Sequence, residues 1–271
     1  MCLIALAWKL SPRYPLAIAA NRDELHARPT AGAAIDPDAA DVYGGRDLVQ
    51  GGGWLQASIR GRLAAVTNVR DGSRGMEPRP LSRGWLVRDF VRGDATAAGF
   101  AAARAASDGF GPFNALYWDG RDLVHASNHP HVAGAPVAPG LHAMSNGAFD
   151  APWPKSRAAT RALAGWLDSP AALADPMGSP ASLEPLFAAL ADTGVAPDDE
   201  LPDTRVGIEL ERTLSPPFVS GPDYGTRCST VVLVGDGRML FAERRFGPDG
   251  VRTGDGIAVL PLGSPPGDPH M

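Results

Sequence analysis

The sequence predicts an α+β protein, a four-layer α-β-β-α sandwich of antiparallel sheets, on three observations. Two continuous apolar runs of strand length, Cys2–Trp8 and Leu16–Ala20, open the chain, and strands with no polar face are strands covered on both sides. Strand-like segments gather at the two ends of the chain and helix-like segments in the middle, unlike the alternation that builds a parallel sheet. Short glycine-containing turns join successive strands, as hairpins require. Periodicity alone leaves open another arrangement within the α+β class.

Taken in order, the first run stops at Lys9 and pairs with the second across a polar bend. The second run leads straight into Asn21-Arg22-Asp23-Glu24, so a charged cluster ends a buried strand. From Leu25 to Gly44 the chain is rich in Ala, Pro, Asp and Gly with little periodicity, and a long loop is expected there. Strands over Trp54–Ile59 and Leu63–Asn68 form a hairpin at Gly61. The glycines at 44–45 and 51–53 match neither a dinucleotide fingerprint nor a P-loop and are read as turn residues.

Ser82 is the expected N-cap of a helix carrying Trp85, Leu86, Phe90 and Val91 at helical spacing, and Asp94–Ser107 is alanine-rich and helical in propensity. These two helices cover one sheet. Asn114–Trp118, Asp119-Gly120 and Asp122–Ser127 spell strand, turn, strand, and Leu141–Asn146 is a further strand. Pro154–Asp168 and Ser182–Asp192 are amphipathic helices, with Leu163, Trp166 and Leu167, then Leu183, Leu186, Phe187 and Leu190, on one side of each. Residues 194–226 are rich in Pro, Asp and Gly. A closing hairpin joins Cys228–Val234 to Met239–Glu243 around Asp236-Gly237, and the tail from Pro261 to Met271 is expected to fray.

The 271 residues suffice to bury a sizeable core, and with no evident linker a single domain over 1–271 is expected. A net charge of −5 with scattered arginines argues against a nucleic-acid partner. Two cysteines, far apart in sequence, make neither a disulfide framework nor a Cys-x-x-Cys metal pair, and a reducing compartment fits best. The opening apolar run is too short for a signal-peptide core or a bilayer span, so no membrane span and a cytoplasmic location are expected.

Cys2 carries the chemistry. Once the initiator methionine is removed it becomes the N-terminal residue, with a thiol of ordinary pKa ~8.5 and an α-amine of ~7.7–8.0 on one residue. Such a residue holds a nucleophile and its own base, the N-terminal analogue of a Ser–His pair. Arg22 would lower the thiol pKa and Asp23 would orient the amine. The alternative is a small core hydrophobe, since free cysteine is among the most buried residue types.

The run Met1-Cys-Leu-Ile, Tyr14-Pro-Leu, Ala19-Ala-Asn-Arg-Asp-Glu24, Arg28-Pro29-Thr30, Gly45-Arg46-Asp47 and Gly53-Trp54-Leu55 resembles the NRDE family, also called the transport-and-Golgi-organisation-2 family. The resemblance continues through Thr67-Asn68, Ser82-Arg83-Gly84, Ser145-Asn146, Pro152-Trp153-Pro154-Lys155, Leu214-Ser215-Pro216 and Tyr224-Gly225-Thr226-Arg227.

It implies an N-terminal-nucleophile hydrolase fold, similar in layout to bile-salt and penicillin V acylases. It also implies a site of Cys2, Arg22, Asp23, Asn68, Asn146 and Arg227, with Asn21 and Trp54 as substrate-binding residues. The local order Asn21-Arg22 reverses the Arg-Asn of the acylases, which leaves open which of the two enters the pocket. Under this reading Cys2 attacks an amide or acyl bond of a small molecule and needs no cofactor or metal. Asn68 or Asn146 donates to the oxyanion, a contribution of about 3 to 4 kcal/mol in other hydrolases. Arg22 and Arg227 keep the thiolate ionised.

The same resemblance implies an alternative, a non-catalytic haem-trafficking or acyl-CoA- and lipid-binding protein on the same fold. Axial candidates for haem are His26, His125, His129, His131, His142 and Cys2, none in a haem-specific motif.

Overall fold

A computed structural model describes residues 2–73, 79–177 and 179–263. Met1 lies outside the described residues. The chain opens with β1 (Cys2–Trp8) and β2 (Leu16–Leu25), then β3 (Thr30–Asp36), β4 (Ala39–Asp47), β5 (Leu55–Ser58) and β6 (Arg62–Asn68). Helices α1 (Gly84–Arg92) and α2 (Ala97–Ala105) precede β7 (Phe113–Trp118), β8 (Leu123–Ser127), β9 (Ala133–Pro136) and β10 (Gly140–Met144). Next come α3 (Pro154–Leu167), α4 (Pro170–Leu173), α5 (Glu184–Leu190) and α6 (Ile208–Thr213). The last strands are β11 (Tyr224–Gly235), β12 (Arg238–Phe246) and β13 (Arg252–Pro261).

The named strands form two antiparallel sheets. The first runs β10-β1-β2-β11-β12-β13, and the second is a meander from β3 to β9 in sequence order. All seven residues of β1 are buried, and they divide strictly by parity. Cys2, Ile4, Leu6 and Trp8 join the core between the sheets, while Leu3, Ala5 and Ala7 meet the outer helices. Period-two alternation puts successive side chains on opposite faces, so an all-apolar strand is one with a layer on each side. The outer layer on the first sheet comprises α3 and α5, through Leu163, Trp166, Leu186 and Phe187. That on the second comprises α1 and α2, through Leu86, Phe90, Phe100 and Ala101. The expected α-β-β-α order is the observed one.

Three local expectations need correction. The stretch 25–44 is no loop. It contains β3 and most of β4, turned at Pro37-Asp38, and Ala and Gly with low strand propensity concealed them. Ser82 is not the N-cap of α1; Arg83 holds that place, and the Ser82 hydroxyl accepts instead from the Gly84 N–H at 3.2 Å. Finally, Pro261 ends β13, a strand whose exposed, glycine-interrupted alternation was missed. The Leu262 N–H donates to the Gly237 carbonyl, and the rest of the expected frayed tail, 264–271, lies outside the described residues.

The glycine run serves close approach as well as turning. Gly51 has φ +70°, whereas a Cβ on Gly52 would come within 2.4 Å of the Gly84 backbone. That contact, with the Gly53 N–H donating to the Gly84 carbonyl at 3.1 Å, seats the start of α1 against the chain leading into β5.

Candidate active site

The intersheet core gives way at one end to a cleft of about 1300 Å³, and Cys2, Trp54 and Cys228 belong to both. The register of the first sheet explains the floor. Cys2 lies opposite Arg22 in β2, and Arg22 lies opposite Cys228 in β11, so the three side chains share one face. The same parity decides between Asn21 and Arg22: Leu16, Ile18 and Ala20 face the intersheet core, and Arg22 follows them.

Asn21 is therefore not a cleft residue, and its substrate-binding assignment is withdrawn. It points to the helix side, where its Nδ2 donates to the carbonyls of Leu190 and Pro217, both at 2.8 Å. Its Oδ1 accepts from the Ser229 hydroxyl at 2.6 Å. Trp54 does line the cleft.

Cys2 is 8% exposed. Burial pushes its thiol up, and the neighbouring Asp23 charge adds to this, against the pull of Arg22 and of a hydrogen bond from the Asp23 backbone N–H. A thiol in this setting is protonated at neutral pH and requires a base to become a nucleophile. Cys228 is pushed up further by burial, with Glu243 beside it. The two thiols are free, standing two strands apart with Arg22 between. At ordinary strand spacing that is roughly 10 Å, beyond the ~7 Å limit for a disulfide.

Asp23, almost wholly buried, also lines the cleft. Burial pushes its carboxyl up, opposed by the Lys155 ammonium and by the hydroxyl of Thr226, which donates to Oδ1 at 2.7 Å. Lys155 is wholly buried at the start of α3, its Nζ donating to the Leu214 carbonyl at 3.0 Å, and burial pushes its pKa down to about 8. Sequence reasoning did not select Lys155 as a site residue. The available signal was its place on the apolar stripe of α3, in line with Ala159, Leu163 and Trp166.

The two asparagines play unequal parts. Asn68, at the end of β6, lines the cleft; Asn146 does not, and lies fully buried behind it. The Asn146 Nδ2 donates to both the backbone carbonyl and the Oδ1 of Asn68, at 2.8 and 3.1 Å. Both donors are thus committed, and the contact fixes the Asn68 amide so that its own Nδ2 arm remains for a ligand. Ser145 ties the same corner to β1, its hydroxyl donating to the Cys2 carbonyl at 2.9 Å. Thr67 in turn donates to the Ser145 carbonyl at 2.6 Å. Of the two, Asn68 is therefore the asparagine that faces the cleft, and Asn146 holds its amide in place.

Arg227, the bulged residue of β11, lines the cleft, but its NH1 donates to the carbonyls of Leu25, His26 and Arg28. It braces the β2–β3 connection, and of Arg22 and Arg227 it is Arg22 whose charge pulls the Cys2 thiol down. The haem candidates other than Cys2 lie elsewhere: no histidine lines the cleft among the described residues. His125 stacks on Phe149 at 4.3 Å, with burial pushing it down to about 4, and His142 pairs with Asp150 at 2.7 Å. His129 faces Asp71 at 3.3 Å, and His131 is exposed. His26 is beside Gly225.

The Transport and Golgi organisation 2 family model matches residues 1–248 of the chain. The chain belongs to this family. The Transport and Golgi organization protein 2 homolog of Bos taurus is 30% identical over 268 residues, 90% of this chain and 92% of the relative. That of Homo sapiens is 28% identical over the same shares. Among solved structures, the Caenorhabditis elegans ortholog of N-acylethanolamine-hydrolyzing acid amidase superposes with a TM-score of 0.50 at 11% identity, covering 86% of this chain and 92% of that one. This family member therefore has the N-terminal-nucleophile hydrolase fold. Among the described residues, no helix is long and apolar enough to cross a membrane, and no group of three or more His, Cys, Asp or Glu could hold a metal ion.

Proposed function

We propose that this protein is an N-terminal cysteine hydrolase acting on the C–N amide or acyl bond of a small molecule. The observation that carries this reading is the convergence, at the floor of one cleft, of Cys2, Arg22, Asp23 and Asn68 from three separate strands. After removal of Met1, the free α-amine of Cys2 takes the thiol proton and the sulfur attacks the substrate carbonyl carbon. The carbonyl oxygen becomes an oxyanion that accepts from Asn68 Nδ2. Collapse breaks the C–N bond, the leaving nitrogen takes the proton from the ammonium, and an acyl thioester remains on Cys2. Water, deprotonated by the same amine, then releases the acid and restores the thiol. Asp23 holds the amine near the sulfur, and Lys155 stands behind Asp23.

The burial of the thiol supports this role for the amine, because Arg22 alone does not outweigh desolvation. The carrier reading with a histidine-ligated haem has less support, since the cleft walls supply no histidine among the described residues. The test begins with protein whose intact mass proves loss of Met1, assayed on short acyl amides and thioesters. Cys2→Ala should abolish turnover, a loss of at least about a thousandfold, and leave the fold unchanged by circular dichroism. Turnover that survives in Cys2→Ala, or no reaction of any acyl compound with Cys2 in Met1-free protein, rejects the hydrolase.

A further inference from the structure

The charge of the cleft runs against the charge of the protein. The chain carries a net −5, yet along the cleft arginines outnumber carboxylates. Three of these arginines are answered by a carboxylate within hydrogen-bond reach: Arg28 by Asp47 at 2.6 Å, Arg46 by Asp38 at 3.4 Å, and Arg70 by Glu211. The remainder are not, among the described residues. Arg22, almost wholly buried, stands 3.6 Å from Glu24 and donates to the Thr30 hydroxyl at 3.4 Å. Arg245 is 3.8 Å from Glu243. The carboxyls of Glu243 and Asp23 are both pushed toward the neutral form by burial, which leaves the arginines still less balanced.

Arg83 is the most informative of them. It sits where α1 begins, half-buried and lining the cleft, close enough to Cys2 for the two to interact electrostatically. Its polar contact among the described residues is one hydrogen bond from NH1 to the Pro112 carbonyl at 3.3 Å. A guanidinium presents five N–H donors in a planar fork, and holding such a fork half-satisfied in a desolvated place is costly unless an oxyanion completes it. The Gly52–Gly84 contact fixes the backbone that carries it, so the position is built rather than incidental. A positive cleft in a negative molecule also concentrates anions at its mouth.

Resting on the hydrolase reading, we propose that the substrate carries an anionic oxygen group, a carboxylate or a phosphate, close to the scissile bond, and that Arg83 is the specificity-determining residue that binds it. The solved neighbour is named for hydrolysing N-acylethanolamines, whose leaving group is uncharged. The arginines here select its charged counterparts, amides of amino acids or of phosphorylated amines.

The test is calorimetric titration of the Cys2→Ala protein with three short probes: N-octanoylglycine, N-octanoyl-O-phosphoethanolamine and N-octanoylethanolamine. At least one anionic probe should bind about tenfold or more tighter than the neutral one, the scale of a charge-assisted hydrogen-bonded pair. Which anionic probe binds tighter distinguishes carboxylate from phosphate. Adding Arg83→Gln should remove most of the preference, and so should raising salt from about 50 to about 500 mM.

Equal binding of neutral and anionic probes, or no binding by any, overturns the proposal. So does a preference that persists in folded Arg83→Gln protein. If that variant does not fold, the salt series on Cys2→Ala decides alone, a flat preference overturning the proposal. Preferential anion binding without hydrolysis of the preferred probe by Met1-free protein leaves this inference standing and removes the hydrolase reading, so the two failures are distinct.

Discussion

Asn21 and Arg22 are neighbours in β2, both buried, and they face opposite layers with opposite degrees of satisfaction. On the helix side the Asn21 amide is filled on both arms, by two carbonyls and a hydroxyl from three separate segments. On the cleft side the Arg22 guanidinium has its nearest partners at 3.4 and 3.6 Å. A buried polar group with every arm engaged holds the fold together, and one held with donors to spare is kept for something that arrives later. The two faces of one sheet thus divide into a structural side and a receptive side, and the division falls between adjacent residues because a strand alternates.

The largest effect expected from this comparison lies at a buried arginine of the cleft that is already paired. Arg70 and Glu211 form a buried pair, and the same carboxylate accepts from the Thr204 N–H and hydroxyl. Glu211→Ala should cost about 3 to 5 kcal/mol in urea denaturation, because it strands the Arg70 charge in a buried place. A loss below about 1 kcal/mol would mean that pairing does not mark structural arginines here. Asn21→Ala is next. It orphans two carbonyls and a hydroxyl and should cost about 3 kcal/mol, with substrate or probe affinity unchanged in the folded fraction.

Most of the layer order was legible, since β1, β2 and the Asp-Gly hairpins declare themselves by period and turn chemistry. The strands missed in whole or in large part, β3, β4, β9 and β13, lie toward the far ends of the sheets. There burial is one-sided or slight, so Ala, Gly and Arg stand in place of an apolar run. At the site, Cys2, Arg22, Asp23 and Asn68, which the sequence groups, all line one cleft. Which way Arg22 points was within reach of the sequence, because a symmetric pair through the polar bend sets Arg22 opposite Cys2. The demotions of Asn146 and Arg227 were not, because each depends on carbonyls brought in from distant segments.

Lys155 sharpens the comparison through pH. It is a charged residue on the helix side of the sheet, donating to the Leu214 carbonyl, and burial lowers its pKa from 10.5 to about 8. Below pH 8 it is protonated in both states and the burial penalty is constant. Between pH 8 and 10.5 the unfolded chain binds the proton more tightly than the native one, so unfolding free energy rises with pH in that window. Relative to Lys155→Met, the native protein should gain about 2 kcal/mol from pH 8 to pH 10. A stability difference between the two proteins that stays flat over that range would show that Lys155 is not penalised by its burial.

The smallest stability effect belongs to Arg22, and it is the one on which the comparison turns. Arg22→Met keeps the length and apolar packing of the side chain but removes the fork, and with the fork go a 3.4 Å hydrogen bond to Thr30 and a 3.6 Å ion pair with Glu24. Unfolding free energy should stay within about 1 kcal/mol of the parent. The chemistry of Cys2 should move instead. Burial holds the thiol high and Arg22 is one of the groups pulling it down, so its loss raises the thiol further. The pH profile of Cys2 alkylation, followed by mass spectrometry, should shift to higher pH, with slower reaction at neutral pH. If Arg22→Met instead costs more than about 2 kcal/mol and leaves the alkylation profile in place, Arg22 is a structural residue of the same kind as Asn21, and the two faces of β2 do not differ in purpose.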